Sequence, residues 1–214
     1  TRTRFIVNSV AKRDEKMEHG MIGKGSGKGF ELYDEISLED IANEASRVAV
    51  TMLDAKSAPS GKFPVVLDNK FGGVIFHEAC GHGLEATSVA KGNSVYAGKL
   101  GEQIASTVVS AVNDGNVQNE LGSHSLDEKD NKTTRNLLIE NGILKNYMVD
   151  ELNARRINMP ATGSCRRESY KFAPTSRMTN TYILNGNSKF EDMISSIDYG
   201  IYAKYLGGGS VNTT

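Results

Sequence analysis

From residue 38 the apolar positions recur at helical spacing. Leu38, Ile41, Ala42, Ala45, Val48, Ala49 and Met52 form one stripe, the pattern of an amphipathic helix that buries a single face. Ser37 and Asp40 give that helix a capping-box-like start, the serine accepting an orphan N–H while the acid reaches back. Pro59 and Gly61 close the segment. Upstream, Phe5, Ile6 and Val7 suit a strand, and the charged residues 12–18 (KRDEKME) read as an exposed loop or hairpin tip. Residues 23–29 (GKGSGKG) read as a flexible turn. They do not make a phosphate loop, which needs G-x-x-x-x-G-K-[ST], because Lys28 is followed by Gly29.

A short apolar run, FPVVL at 63–67, predicts a strand. Residues 71–84 contain no proline and enough apolar side chains for a helix. Gly72, Gly73, Gly81 and Gly83 weaken that helix by about 0.5–1 kcal/mol each relative to alanine, so they point to an irregularity or a close backbone approach. After Gly98 the character turns to strands. Residues 107–112 are β-branched and run into Asn113-Asp114-Gly115, a turn signal. Residues 136–140 and 143–149 flank Asn141-Gly142, the sharpest hairpin signal in the chain, since a type I′ turn needs φ > 0 at both positions.

Residues 151–157 predict a short helix, 179–184 a strand and 201–206 another strand. Ser188 and Glu191 form a second capping box ahead of Phe190, Met193, Ile194 and Ile197. The expected class is α+β, with a helix-rich first half followed by mainly antiparallel strands and hairpins. Residues 1–57 read as a strand and helix segment ending an upstream domain, and 58–214 as the core domain. Thr1 is no initiator methionine, and the chain stops just after a glycine turn. The expectation is an internal piece of a longer protein, truncated at the C-terminus.

Charge changes the picture by exclusion. Twenty-five basic residues against 26 acidic ones create no field favouring nucleic acid or an anionic membrane. No run of 18 apolar residues offers a spanning helix. Two cysteines, Cys80 and Cys165, do not make a disulfide framework, so a reducing cytoplasm is the simpler setting.

The chemistry concentrates in FGGVIFHEACGHGLEA, residues 71–86, which holds two of the four histidines with an acid beside the first. The spacing is H-E-x-x-x-H, one residue longer than the zinc-protease motif H-E-x-x-H. At about 100° per residue, His77 and His82 would stand roughly 140° apart on a regular α-helix and could not share an ion. A single i→i+5 turn would return them to one face, with Gly81 and Gly83 absorbing the distortion. Two neutral imidazoles would then ligate zinc, and Glu78 would be the general base for the attacking water. A catalytic site needs a third protein ligand. Glu85, His124, Cys80 and Cys165 are the candidates, none at a compelling spacing, and Glu85 could equally hold an imidazole in place.

HEACGHGLEA closely resembles the H-E-A-x-G-H-x-L-E signature of the TldD/PmbA family of metallopeptidases, historically called modulators of DNA gyrase. TTRNLLIENGILKNYMVDELNARR, TGSCRRESY, SRMTNTYILNG and GIYAKYLGGG resemble further family blocks, in order, so the likeness covers roughly residues 58–209 and more weakly the N-terminal part. The resemblance implies a cytoplasmic, zinc-dependent peptidase acting on small or unfolded peptides. His77 and His82 match its metal ligands and Glu78 its catalytic glutamate. It implies one zinc per subunit, the third ligand being a cysteine in a C-terminal block that this chain lacks. A paralogous PmbA/TldE-like subunit, or a homo-oligomer, is the implied partner, with no nucleic acid or membrane bound directly. Arg166, Arg167, Arg177 and Asn180 fall in family blocks and would line a substrate groove or serve as structural residues. The alternative function is a non-catalytic regulatory module acting on gyrase or a toxin–antitoxin system.

Overall fold

A computed structural model of the chain describes residues 1–69 and 72–205. The expected helix start at Phe71 and the strand end at Leu206 lie outside the described residues. The chain divides into two compact units, one of residues 1–61 with 118–121 and one of 62–117 with 122–214.

The first unit is a long hairpin carrying a helix. β1 (Thr3–Arg13) and β2 (Lys16–Ser26) pair antiparallel from Thr3↔Ser26 to Arg13↔Lys16. Only Asp14 and Glu15 remain as the tip, Asp14 adopting φ +52°, so the charged run at 12–18 is mostly strand. The glycine-rich stretch corrects to strand in its first part, since β2 continues through Gly23 and Gly25 to Ser26, while residues 27–29 bend away. After a single turn, α1 (Leu32–Glu35), comes α2 (Leu38–Leu53), whose Ser37 Oγ accepts the Asp40 N–H at 3.1 Å. Ile41, Ala45, Ala49 and Leu53 are its buried stripe. Gly20 is buried on β2 because a Cβ there would run into the backbone of Ala45 and Ala49.

The second unit is built on a four-stranded antiparallel sheet in the order β6-β5-β4-β9: β4 (Ala111–Asp114), β5 (Arg135–Glu140), β6 (Ile143–Leu144) and β9 (Asn180–Ile183). The β5–β6 turn is the expected hairpin, with Asn141 at φ +48° and Gly142 at +82°. The strand expected at 107–112 instead runs 111–114, and Asn113 and Asp114 belong to it. Buried Asn113 uses its amide to bond Ser164 Oγ and the Thr179 N–H. Two small pairs complete the strands among the described residues: β3 (Val65–Leu67) lies parallel to β10 (Ile201–Ala203), and β7 (Cys165–Arg166) antiparallel to β8 (Thr175–Ser176).

Helix α5 (Glu151–Ile157) is capped by Asp150, which accepts the Leu152 and Asn153 N–H groups. It ends in left-handed Asn158 at φ +53°. Helix α6 (Phe190–Ser195) begins after Lys189 without a side-chain cap, so the expected Ser188 box is not used. Leu138, Leu144, Met148 and Val149 are fully or almost fully enclosed and pack with Phe76, Leu84 and Met178 into one core. That core lies directly under the histidine motif.

Candidate metal centre

The motif follows β3 through a single helical turn, α3 (Gly73–Phe76), then an i→i+5 turn over His77–Gly81, a tight turn over His82–Leu84 and one more helical turn, α4 (Ala86–Val89). The His82 N–H bonds to the His77 carbonyl across five residues. This wide turn holds 4–5 residues per revolution where an α-helix holds 3.6. Both imidazoles therefore face one side, their rings edge to face with centroids 4.7 Å apart. The extra residue in H-E-x-x-x-H is the residue the wide turn accommodates.

Behind the motif the chain is strapped to the core. The Ala86 N–H bonds to the Met148 carbonyl and the Met148 N–H to the Leu84 carbonyl, each at 2.9 Å. Glu85 is thereby buried at 6% exposure, facing His82 Nδ1 at 3.4 Å and Arg177 at 3.6 Å. Burial pushes the Glu85 carboxyl up, opposed by Arg177 and His82. With Nδ1 facing Glu85, His82 Nε2 faces Glu78, 4.0 Å away. Half-burial, then the neighbouring His82, lowers the pKa of His77, favouring its neutral form.

Two other segments close on the turn. Tyr96 lays its ring on Gly83 and brings its hydroxyl to 3.3 Å from the Ala79 carbonyl and from Cys80 Sγ. Met178 packs its sulfur against Gly81 so closely that a Cβ there would collide with it. Sequence reasoning missed both residues. No local pattern gives either a role, and only the fold brings positions so far along the chain to the turn.

His77, Glu78 and His82 are, among the described residues, the group of His, Cys, Asp and Glu side chains able to share an ion, with one ligand atom from each within 4.8 Å of the others. Two imidazoles, one of them depressed in pKa, and a carboxylate suit a borderline cation such as zinc. Glu85 meets His82 from the far nitrogen and stays outside this group. His124 Nδ1 faces the Gly122 carbonyl at 3.1 Å, and Cys165 is buried in β7. Of the remaining candidates, Arg177 pairs with Glu85, and both Arg166 and Arg177 oppose protonation of His77. Arg167 pairs with Glu128. Asn180 accepts the Gly122 N–H and donates to the Asp114 carbonyl and Ser123 Oγ.

An α+β domain that gathers two imidazoles and a carboxylate on one side of a distorted helix has the donor set of a candidate metal centre. Residues 60–214 match the PmbA/TldA metallopeptidase C-terminal domain, and residues 1–53 the central domain of the same proteins. The chain belongs to the PmbA/TldA metallopeptidase family. It is 43% identical to a protein named metalloprotease TldD homolog from Buchnera aphidicola, over 98% of this chain and 45% of that one. A protein of the same name from Haemophilus influenzae is 42% identical over 99% of this chain and 45% of its own. The chain thus spans less than half the length of these relatives. The crystal structure of TldE from Thermococcus kodakarensis superposes with a TM-score of 0.78 at 20% identity, over 97% of this chain and 46% of that one. This last likeness concerns the fold.

Proposed function

We propose that this chain carries the catalytic part of a zinc-dependent peptidase that hydrolyses peptide bonds of small or unfolded peptides. The observation supporting it is the convergence of His77, Glu78 and His82 on one side of the i→i+5 turn. His77 and His82 would hold the ion, and the third ligand is assigned to a cysteine outside this chain. A zinc ion held there would polarise the scissile carbonyl and lower the pKa of water toward about 7.

The residues of the chain do the rest. Glu78 takes a proton from the attacking water and returns it to the leaving amine, a general base and acid role. Glu85 fixes the His82 ring through Nδ1 and keeps Nε2 turned toward Glu78, which is how an outer carboxylate orients a ligating imidazole. Arg166 and Arg177, both felt electrostatically by His77, are assigned to carbonyl or carboxylate groups of the peptide. Arg167 and Asn180, engaged with Glu128 and with the 114–123 segment, support the walls. The assembly is assigned a paralogous TldE-like subunit or a second copy as partner. The two free cysteines suit the cytoplasm.

The test uses the full natural polypeptide, with elemental analysis and cleavage of an unstructured peptide. His77→Ala should lose both zinc and cleavage. Glu78→Gln should keep zinc and lose cleavage. Cleavage retained in either variant overturns the assignment.

A further inference from the structure

The i→i+5 turn is an uncommon conformation, and nothing in the sequence of residues 77–81 compels it over the tighter α-helix. In the α-helical alternative, His77 and His82 point about 140° apart. Whatever holds the wide turn therefore decides whether the two imidazoles form one site.

The 94–96 segment clamps this turn from outside. Ser94 is buried, donates its hydroxyl to the Gly83 carbonyl at 2.5 Å and accepts the Tyr96 N–H at 3.0 Å. Tyr147 is almost fully buried in the core and bonds through its hydroxyl to the Tyr96 carbonyl at 2.6 Å. These last two bonds anchor the Tyr96 backbone on either side of its Cα. Its ring covers Gly83, where a Cβ would come within 2.8 Å of ring carbons. Its hydroxyl reaches the Ala79 carbonyl, midway between the two histidines.

We propose that Tyr96 is a positioning residue of the metal centre: its hydroxyl, bonded to the Ala79 carbonyl and beside Cys80 Sγ, holds the i→i+5 turn that places His77 and His82 on one ion. The inference rests on the metal-site reading of those two histidines. It extends that reading to a residue outside the His77–Glu78–His82 group. Loss of an outer hydrogen bond to a ligating side chain commonly weakens metal affinity about 10–100-fold; Tyr96 bonds the turn and not a ligand, so the lower end, about tenfold, is expected here.

The experiment compares zinc affinity, by competition with a chromophoric chelator, in the full natural polypeptide and its Tyr96→Phe variant. The metal-free melting temperature of each is measured alongside. Tyr96→Phe keeps the ring on Gly83 and removes only the hydroxyl. The expected result is zinc binding weakened about tenfold or more with little change in metal-free melting, a split that a purely structural tyrosine would not produce. Gly83→Ala, which pushes the ring away, should weaken zinc in the same direction. Wild-type protein that binds zinc, with Tyr96→Phe within twofold of it, overturns the role of Tyr96 and leaves the metal site standing. Wild-type protein whose zinc binding is indifferent to His77→Ala overturns the metal site and this role together.

Discussion

Gly81 and Met178 meet where no side chain could be added: the thioether occupies the space that a Cβ on the turn would need. Met178 is 4% exposed and part of the main core, so it has little room to retreat. Gly81→Ala should destabilise the protein by about 1–3 kcal/mol, the usual cost of overpacking. Urea unfolding of the single variants and of Gly81→Ala with Met178→Ala reads it. The two losses should be less than additive, because removing the thioether makes room for the methyl.

His77 gives a pH dependence with a definite sign. Half-burial and His82 lower its pKa below the ordinary 6.5, so the unfolded chain takes up a proton before the folded one. Its contribution to stability is fully present above pH 6.5 and is lost as pH falls from there through the depressed folded value. In metal-free protein, His77→Gln should flatten the fall in urea midpoint below pH 6.5. An unchanged acid limb would show that His77 is not its source.

The two thiols should behave differently. Cys165 is 2% exposed, and its thiol is pushed up to about 12 by burial and by Asp127 and Asp150. It should stay protonated and inert at pH 8. A thiol count with an aromatic disulfide reagent should be the same for native wild type and native Cys165→Ser. The two should differ by one thiol after denaturation.

Asp150 carries more than an ordinary cap. It is 1% exposed and accepts the Leu152 and Asn153 N–H groups and the Asn153 side-chain amide. Asp150→Ala should cost about 2 kcal/mol, near the upper end for caps because the donors left behind are buried. Thermal or urea unfolding measures this directly.

What the sequence revealed about the site was its contradiction. Five-residue spacing between His77 and His82 cannot work on a regular helix, so a shared site required the wide turn that the structure shows. Asn141-Gly142 was equally legible, since its positive φ values are a local demand. The misreadings have tertiary causes. Gly23 and Gly25 looked like part of a turn, yet they continue β2 opposite Ile6 and Arg4. Asn113 and Asp114 looked like a turn too, but Asn113 is a buried polar strand residue satisfied by Ser164 and Thr179. Ser188 offered a cap that α6 does not take. Tyr96 and Met178 left no trace in any local pattern because their roles exist only across the fold.

The parallel pairing of β3 with β10 sets an order of events in time. Val65, Val66 and Leu67 lead into the histidine motif, and their partners are Ile201, Tyr202 and Ala203. Tyr202 also bonds Asp68, 134 residues earlier. At about 5–20 residues per second, a ribosome needs roughly 7–27 s to deliver the second strand after the first. During that interval the nascent chain already carries both histidines but lacks the partner of the strand that leads into them. The pairing that holds β3 in place is therefore completed late in the life of the new chain.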